Sequence, residues 1–168
     1  MAIKLNGIFK DNMVFQWGAE LRVFGNSDKP CTICCELFKE EFEEPVLTAE
    51  STTEEDGSFL ICVNPVEEPD GPFEIRVSAE GEEPVIIKNA YAGEVWLATG
   101  EENMEYPLAR TEFAKYLIPK IGKTDIRYYK VPQAGFLDED QAEAEEESGW
   151  IEVDSETAGQ MSGVAFYF

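Results

Sequence analysis

Turn-forming residues cut the first ninety residues into short apolar stretches, and this pattern limits the fold more than any other feature of the sequence. Clusters of Gly, Pro, Asn and Asp at positions 25–28, 55–57 and 68–72 separate segments in which apolar and polar residues alternate. Such alternation predicts strands with one buried face. We therefore predict a β-sandwich of the jelly-roll or immunoglobulin-like kind over residues 1–89. Its inward face would be formed by Leu21, Val23, Phe59, Ile61, Val63, Phe73, Ile75 and Val77.

The pattern changes after Asn89, and residues 90–168 predict an incomplete α/β segment of SGNH type. Together with the sandwich over residues 1–89, this makes the predicted fold mainly β. An apolar run at 95–97 predicts a buried strand that ends at Thr99-Gly100, and a rough helical stripe over 102–118 follows, weakened by Pro107. Residues 126–131 and 150–153 predict further strands. Residues 136–149 predict an acidic, solvated loop. Asp154-Ser155 is the predicted cap of a final apolar helix.

The charge of the chain excludes some classes of partner. Thirty-five acidic residues against 13 basic ones give a formal net charge of −22. Nucleic acids and anionic membrane surfaces are polyanions, so neither is an expected partner. No apolar run is long enough for a transmembrane helix, and the N-terminus lacks the pattern of a signal peptide. We therefore expect a cytoplasmic protein.

The four cysteines predict structural thiols. Cys31 and Cys34 have the spacing of a metal or redox motif, but a strand would point them to opposite faces, and the chain has no histidine to complete a zinc site. Without a secretory signal, reduced thiols are expected for these two residues and for Cys35 and Cys62, and the pair Cys31 and Cys34 is expected to be buried and structural. We predict no metal and no cofactor.

A strand, a Gly turn and a helix start at residues 91–108 form the arrangement in which α/β enzymes expose a reactive side chain. Residues 93–105 read GEVWLATGEENME. This stretch resembles the nucleophile block of the sialate O-acetylesterases, a branch of the SGNH hydrolases, which reads G-[DE]-V-W-L-x-x-G-Q-S-N-M-E. The resemblance places Glu102 at the catalytic Ser position and Glu101 at the Gln position. The turn at the substrate site would be Gly100, Glu101, Asn103 and Met104.

The resemblance extends over the rest of the chain. Residues 11–16 (DNMVFQ), 56–59 (DGSF), 126–131 (IRYYKV) and 155–158 (SETA) stand in the family's order. It implies an acetylated sugar as ligand and an α/β domain that continues beyond residue 168, where the family has its catalytic Asp-x-x-His. The final residues are almost all apolar, so we expect an unfinished domain that self-associates through this helix.

Ester hydrolysis by a serine enzyme needs a nucleophile, a base and donors to the oxyanion. This chain has Glu102 in place of the nucleophile and no histidine as base. We therefore expect a carbohydrate esterase fragment or variant that is inactive in this form, through truncation, decay or deliberate alteration. Two alternatives stay open: a non-catalytic β-sandwich module for carbohydrate binding or protein association, with Trp17, Trp96 and Trp150 as candidate sugar platforms, and acid–base or cation chemistry by Glu94, Glu101, Glu102 and Glu105.

Overall fold

A computed structural model of the chain describes residues 3–132, 144–145 and 147–168. It divides into two compact units: unit 1 comprises Met1–Val95 and Val131–Gly149, and unit 2 comprises Trp96–Lys130 and Trp150–Phe168. The boundary predicted at residues 89 and 90 stays a prediction. Most of the acidic linker predicted at 136–149 lies outside the described residues.

Unit 1 contains two sheets. The smaller one is antiparallel and has the order β1-β3-β6, with β1 at Ile3–Leu5, β3 at Leu21–Ser27 and β6 at Ser58–Val63. The larger one has the order β2-β8-β7-β4-β5. Its strands are β2 (Val14–Gln16), β4 (Thr32–Lys39), β5 (Leu47–Thr52), β7 (Asp70–Ala79) and β8 (Val85–Gly93). The larger sheet is mixed, because β2 runs parallel to β8 and the other neighbours are antiparallel.

Alternate residues of these strands form the core of unit 1. Strands β4 and β5 of the larger sheet contact β6 of the smaller one, so the buried faces of the two sheets meet. All eight residues predicted from the alternation to face inward are buried: Leu21, Val23, Phe59, Ile61, Val63, Phe73, Ile75 and Val77. The mainly β fold is therefore confirmed, and its physical basis is the period of two.

Two glycines let the strands of the smaller sheet approach each other. A Cβ on Gly25 would collide with the backbone carbonyl oxygen of Lys4 on β1, which pairs with β3 at this point. Gly57 has φ +84° and a Cβ there would lie 2.6 Å from the carbonyl oxygen of Ser27. The predicted turn at 55–57 therefore has a second role, since it allows the chain to pass close to the end of β3.

The cysteines are only partly as predicted. All four are free thiols. Cys35 is fully buried on β4, whereas Cys31 and Cys34 are half-buried and Cys62 is exposed. Cys62 lies on the outward face of β6, between buried Ile61 and Val63. The alternation of β6 gives the inward positions to these two neighbours and leaves Cys62 on the outside.

Unit 2 has short helices and a two-stranded sheet. The α-helices are α1 (Glu102–Glu105), α2 (Ala114–Leu117) and α3 (Gly163–Tyr167). Three 3-10 turns lie at Leu108–Arg110, Ile118–Lys120 and Ala158–Gln160. Strands β9 (Arg127–Tyr129) and β10 (Trp150–Glu152) pair antiparallel. The helical stripe predicted over 102–118 is thus broken into pieces, the first of which ends before Pro107.

A small apolar cluster holds unit 2 together. Its buried members are Leu108, Val153, Ala158 and Met161. The hydroxyl of Tyr128, which packs against the cluster, is buried without a hydrogen-bond partner among the described residues. Burial raises the pKa of this phenol.

The predicted cap of the final helix is wrong. Asp154-Ser155 does not cap the final helix: Ser162 does, and its hydroxyl accepts a hydrogen bond from the Ala165 N–H. Asp154 instead accepts from the N–H groups of Glu156 and Thr157, which closes a turn eight residues earlier in the chain. The final helix begins at Ser162 because the 3-10 turn at Ala158–Gln160 lies between Asp154 and the helix and ends at Gln160.

No helix in the described part of the chain combines the length and the apolar character needed to cross a bilayer.

Candidate functional site

The segment between β8 and α1 is irregular and exposed. Residues 94–100 have no regular secondary structure, and Val95, Trp96 and Leu97 are 43%, 70% and 85% exposed. The buried strand predicted at 95–97 is therefore wrong. A buried strand needs neighbours that satisfy its backbone groups, and none of the described residues forms a backbone hydrogen bond with residues 96–100.

The end of β8 is held by side chains of residues 16 and 17. The Gln16 Oε1 accepts a hydrogen bond from the Val95 N–H at 2.9 Å, and the Trp17 Nε1–H donates to the Glu94 carboxylate at 2.8 Å. Both contacts lie in unit 1 and fix the point at which the chain leaves the sheet. Trp17 is thus a half-buried structural contact rather than an open sugar platform. The sequence carries no signal for it, because the partners are 77 residues apart.

The residue at the predicted nucleophile position starts a helix of one turn. Glu102 is the first residue of α1, and Glu101 is its N-cap, without a side-chain capping hydrogen bond. The Met104 N–H donates to the Glu101 carbonyl oxygen at 2.9 Å. Glu101, Glu102 and Asn103 are exposed and Met104 is half-buried. The predicted turn-to-helix geometry is present, but the helix has only four residues.

The side chain of Met104 leaves no room for a Cβ at Gly100 in this turn. A Cβ at Gly100 would lie 2.5 Å from Met104 Cγ, so a larger residue would displace the methionine. Gly100 and Met104 therefore lie against each other. Their packing shapes the turn from which Glu102 projects into solvent.

The carboxylate of Glu102 has no activating partner in the part of the chain that the structure describes. No hydrogen bond or ion pair to its side chain is recorded there, and the residue is exposed. A carboxylate that attacks or accepts a proton in catalysis is normally oriented by a neighbouring group in a cleft. The described residues also contain no group of three or more Cys, Asp or Glu side chains that could hold a metal ion. The arrangement at Glu102 is that of a solvated acid.

A groove on unit 1 is lined by none of the predicted site residues. It has a volume of about 640 Å³ and is open to solvent. The Arg76 guanidinium lies 4.1 Å from the centre of the Phe38 ring, and Glu74 holds it at 2.6 Å. Phe42 is 55% exposed at this groove. Further lining residues are Lys39, Glu40, Glu43, Pro72, Phe73, Lys88 and Asn89. Sequence reasoning missed the groove because its residues come from three distant segments.

The other two tryptophans are placed differently. Trp150 is half-buried on β10 and its ring packs on that of Tyr129 at 5.7 Å, so it is a packing residue. Trp96 is mostly exposed, and the ring of Phe168 contacts it at 5.1 Å with an interplanar angle of 66°.

Comparison with known proteins places the fold in a class. The fold is similar to that of a novel carbohydrate acetylesterase from Xanthomonas citri, on whose crystal structure the chain superposes with a TM-score of 0.79. The two sequences are 22% identical, and the match covers 98% of this chain and 35% of that one. The chain thus spans about a third of the length of the structure it resembles. A scan of protein-family models and a search of curated proteins found no match.

Proposed function

We propose that this chain is a sialate O-acetylesterase-like fragment or variant of a carbohydrate esterase, and that it does not hydrolyse acetyl esters in this form. The observation that carries the proposal is the position of Glu102. It occupies the Ser position of the motif, as the first residue of α1 after the irregular segment, in a fold like that of a carbohydrate acetylesterase.

The proposed inactivity follows from the chemistry of ester hydrolysis. In the serine mechanism a hydroxyl loses its proton to a base as it attacks the ester carbonyl, and N–H donors stabilise the resulting oxyanion. Glu102 has no hydroxyl, and the sequence has no histidine. Loss of triad members reduces the rate by about three to six orders of magnitude. The one-turn helix α1 also offers few aligned N–H donors to an oxyanion.

An acetyl-ester assay tests the proposal. With p-nitrophenyl acetate and an O-acetylated sialic acid as substrates, we expect hydrolysis no faster than in buffer. The Glu102→Ser variant restores the motif's nucleophile but supplies no base, so we expect it to be inactive as well. Saturable turnover by the unchanged chain would contradict inactivity. If that turnover disappeared in Glu102→Ala, the carboxylate itself would be reactive, and if it persisted, the reaction would take place elsewhere.

A non-catalytic role in carbohydrate binding is the second candidate, and the groove on unit 1 favours it. Its volume lies within the usual range for ligand sites, and it combines exposed Phe42 with polar side chains. Sugars bind to such combinations of an apolar ring face and hydrogen-bonding groups. Retention of the chain on immobilised glycans, weakened by Phe42→Ala but not by Leu60→Ala on strand β6, would support this role over the first.

A further inference from the structure

The turn that follows strand β1 contains Asn6-Gly7, the only Asn-Gly pair in the sequence. The Asn6 Oδ1 accepts a hydrogen bond from the Ile8 N–H at 3.2 Å, and the Asn6 carbonyl oxygen accepts one from the Phe9 N–H at 3.0 Å. The first of these bonds closes an Asx turn, a ring that contains both the side-chain carbonyl carbon of Asn6 and the backbone nitrogen of Gly7. The Gly7 N–H itself donates to no group in the part of the chain that the structure describes. An electrophilic carbonyl carbon and a free backbone nitrogen are therefore held in one small ring.

We propose that Asn6 is a site of spontaneous deamidation, in which the chain modifies itself through the Gly7 nitrogen. The nitrogen attacks the side-chain carbonyl carbon of Asn6, and a new N–C bond closes a cyclic imide. The bond from that carbon to the Nδ2 atom breaks, and ammonia leaves with the proton that the Gly7 nitrogen has lost. Water then opens the imide at either carbonyl, which leaves aspartate or isoaspartate in place of Asn6. The net reaction consumes water and releases ammonia.

The surroundings of Asn6 favour this attack. The Ile8 N–H is aimed at the Oδ1 atom, on which negative charge develops as the carbonyl carbon becomes tetrahedral, so it acts as a donor to an oxyanion. Gly7 has no Cβ that would obstruct the approach of the side chain to the backbone. The Asn6 Nδ2 group, which must leave, donates to no group among the described residues. The turn also keeps the reacting atoms in proximity, which removes part of the entropic cost of closing the imide ring.

The other five asparagines of the sequence lack this combination. Asn64 precedes Pro65, which has no N–H. The side chain of Asn89 is fixed, because its Nδ2 donates to the Asn12 Oδ1 at 2.6 Å. A hydrogen bond that a following N–H already makes must break before that nitrogen can attack. Three N–H groups that follow an asparagine are held in this way by a backbone carbonyl oxygen: Met13 by Lys10 at 3.2 Å, Ser27 by Gly57 at 2.9 Å and Met104 by Glu101 at 2.9 Å.

The same turn contacts a later part of unit 1. A Cβ at Gly7 would lie 2.8 Å from the Glu145 Cβ, so Gly7 lies directly against Glu145. The Lys10 ammonium donates to the carbonyl oxygens of Glu145 and Ser148, each at 2.6 Å. Isoaspartate lengthens the backbone of the turn by one carbon atom, and either product adds a negative charge to it. We therefore expect deamidation to loosen the contact with Glu145 and Ser148.

Peptide mapping by mass spectrometry of the full chain, incubated at neutral and at mildly alkaline pH, tests the proposal. The peptide with Asn6 should gain the mass difference between an NH2 and an OH group. We expect this conversion to be at least ~10-fold faster than at any other asparagine, the factor that corresponds to about one hydrogen bond in the barrier. Its rate should rise with pH, because the nitrogen attacks after it has lost its proton. A methyltransferase specific for isoaspartate should label the incubated chain at this peptide.

Two controls separate the effect of the fold from that of the local sequence. Urea removes the Asx turn and the hydrogen bonds at the other asparagines, so Asn6 should react no faster in urea than in the folded chain. Ser27→Gly creates a second Asn-Gly pair at Asn26, whose following N–H keeps the Gly57 carbonyl oxygen as its acceptor. This pair should stay intact in the folded chain and react in urea as fast as Asn6 does. A circular dichroism spectrum that matches the unchanged chain confirms that the variant folds.

Four results would overturn the proposal: no conversion of Asn6, conversion of another asparagine at the same rate, much faster conversion of Asn6 in urea, or equal conversion of both pairs in folded Ser27→Gly. Hydrogen exchange of the Ser148 amide, which donates to the Ala144 carbonyl oxygen at 3.2 Å, should be faster in the deamidated chain. An unchanged exchange rate would contradict the expected loosening of this contact. None of these measurements depends on esterase activity, so they are independent of the proposed function.

Discussion

Unit 1 and unit 2 bury apolar side chains to very different extents. Among the residues that the structure describes, 19 buried apolar residues lie in unit 1 and five in unit 2. Unit 1 forms its core between two sheets, and strands β4, β6 and β7 bury alternate residues along their length. Unit 2 has a two-stranded sheet and one-turn helices around a cluster of four residues, with the buried Tyr128 hydroxyl unpaired among the described residues. The contrast shows that repetitive strand pairing gives a larger core than short helical turns.

The exposed surfaces of the units differ as well. Unit 1 has 27 acidic and seven basic residues, a net charge of −20, whereas unit 2 has eight acidic and six basic residues, a net charge of −2. Unit 2 exposes Trp96, Leu97 and Phe168, each 70% or more. Unit 1 is therefore strongly acidic, whereas unit 2 is nearly neutral and has the more exposed of the large apolar side chains. The following predictions measure how far this contrast extends to reactivity and stability.

The largest expected effect is the difference in reaction rate between a buried and an exposed thiol of unit 1, Cys35 and Cys62. Burial, with the neighbouring Cys34 and Glu36, raises the pKa of Cys35 to about 12. Only the thiolate reacts, and a pKa of about 12 instead of the ordinary 9.0 lowers the thiolate fraction of Cys35 roughly 1,000-fold. With Ellman's reagent at pH 8, we expect exposed Cys62 to react quickly and Cys35 to react only when unit 1 opens.

Single-cysteine variants make the comparison direct. Chains that keep only Cys62 or only Cys35, with the other cysteines replaced by Ala, should differ in rate by about 1,000-fold or more. Urea should remove most of the difference. Similar rates without denaturant would show that the sheets of unit 1 open far more readily than their packing indicates.

The sequence predicted most of unit 1 and less of unit 2 for a physical reason. Alternation is a local signal, so the inward faces of β3, β6 and β7 could be identified from their own residues. The environment of residues 95–97 depends on which strands lie beside them, and that information is not local. The run was predicted as a buried strand because Val95, Trp96 and Leu97 are apolar, yet no described strand pairs with it.

The candidate site divides in the same way. The turn at Gly100 and the helix start at Glu102 could be predicted from a short motif. The contacts of Gln16 with Val95 and of Trp17 with Glu94 join residues nearly 80 positions apart and had no local signal. The groove around Phe38, which brings distant segments together, had none either.

Matched core substitutions should show the difference in cooperativity between the units. Ile75 and Leu108 are both fully buried, one in each unit. Ile75→Ala should cost about 3–4 kcal/mol of the free energy of unfolding of unit 1. Leu108→Ala truncates one of the four buried residues of the cluster in unit 2. A decrease of similar size in the free energy of unfolding should exceed the stability that this small core gives unit 2, so unit 2 should unfold. Amide hydrogen exchange, read separately for the two units, measures both effects.

Exposed residues of the same types are the controls for these substitutions. Ile86→Ala on β8 and Leu97→Ala remove side chains that are 43% and 85% exposed, so each should cost less than about 1 kcal/mol. We expect Leu108→Ala to abolish protection of the amides in β9 and β10. Retained protection there would mean that unit 2 has a larger stabilising core than its buried residues indicate.

The smallest effect should come from Asp154 in unit 2. Hydrogen bonds from the Glu156 and Thr157 N–H groups lower the pKa of this carboxyl below its ordinary value of 3.8. The charged form is thus favoured in the folded state. Its contribution to stability is present above the unfolded-state pKa and is lost as pH falls through the folded-state pKa. The carboxylate should therefore protect the Thr157 amide against hydrogen exchange at neutral pH, and this protection should be lost below about pH 4.

Asp154→Asn keeps an oxygen acceptor but removes the titrating charge, so the acid-dependent part of the Thr157 protection should disappear while part of the turn remains. Asp125→Asn is the matched control, because no backbone N–H among the described residues donates to its carboxylate. The pH dependence of the stability of the whole chain would also include the titration of Asp70 in unit 1, whose pKa is lowered by its hydrogen bond with Lys39. The residue-resolved reading at Thr157 avoids that mixture, and an unchanged acid profile in Asp154→Asn would show that another group controls the turn.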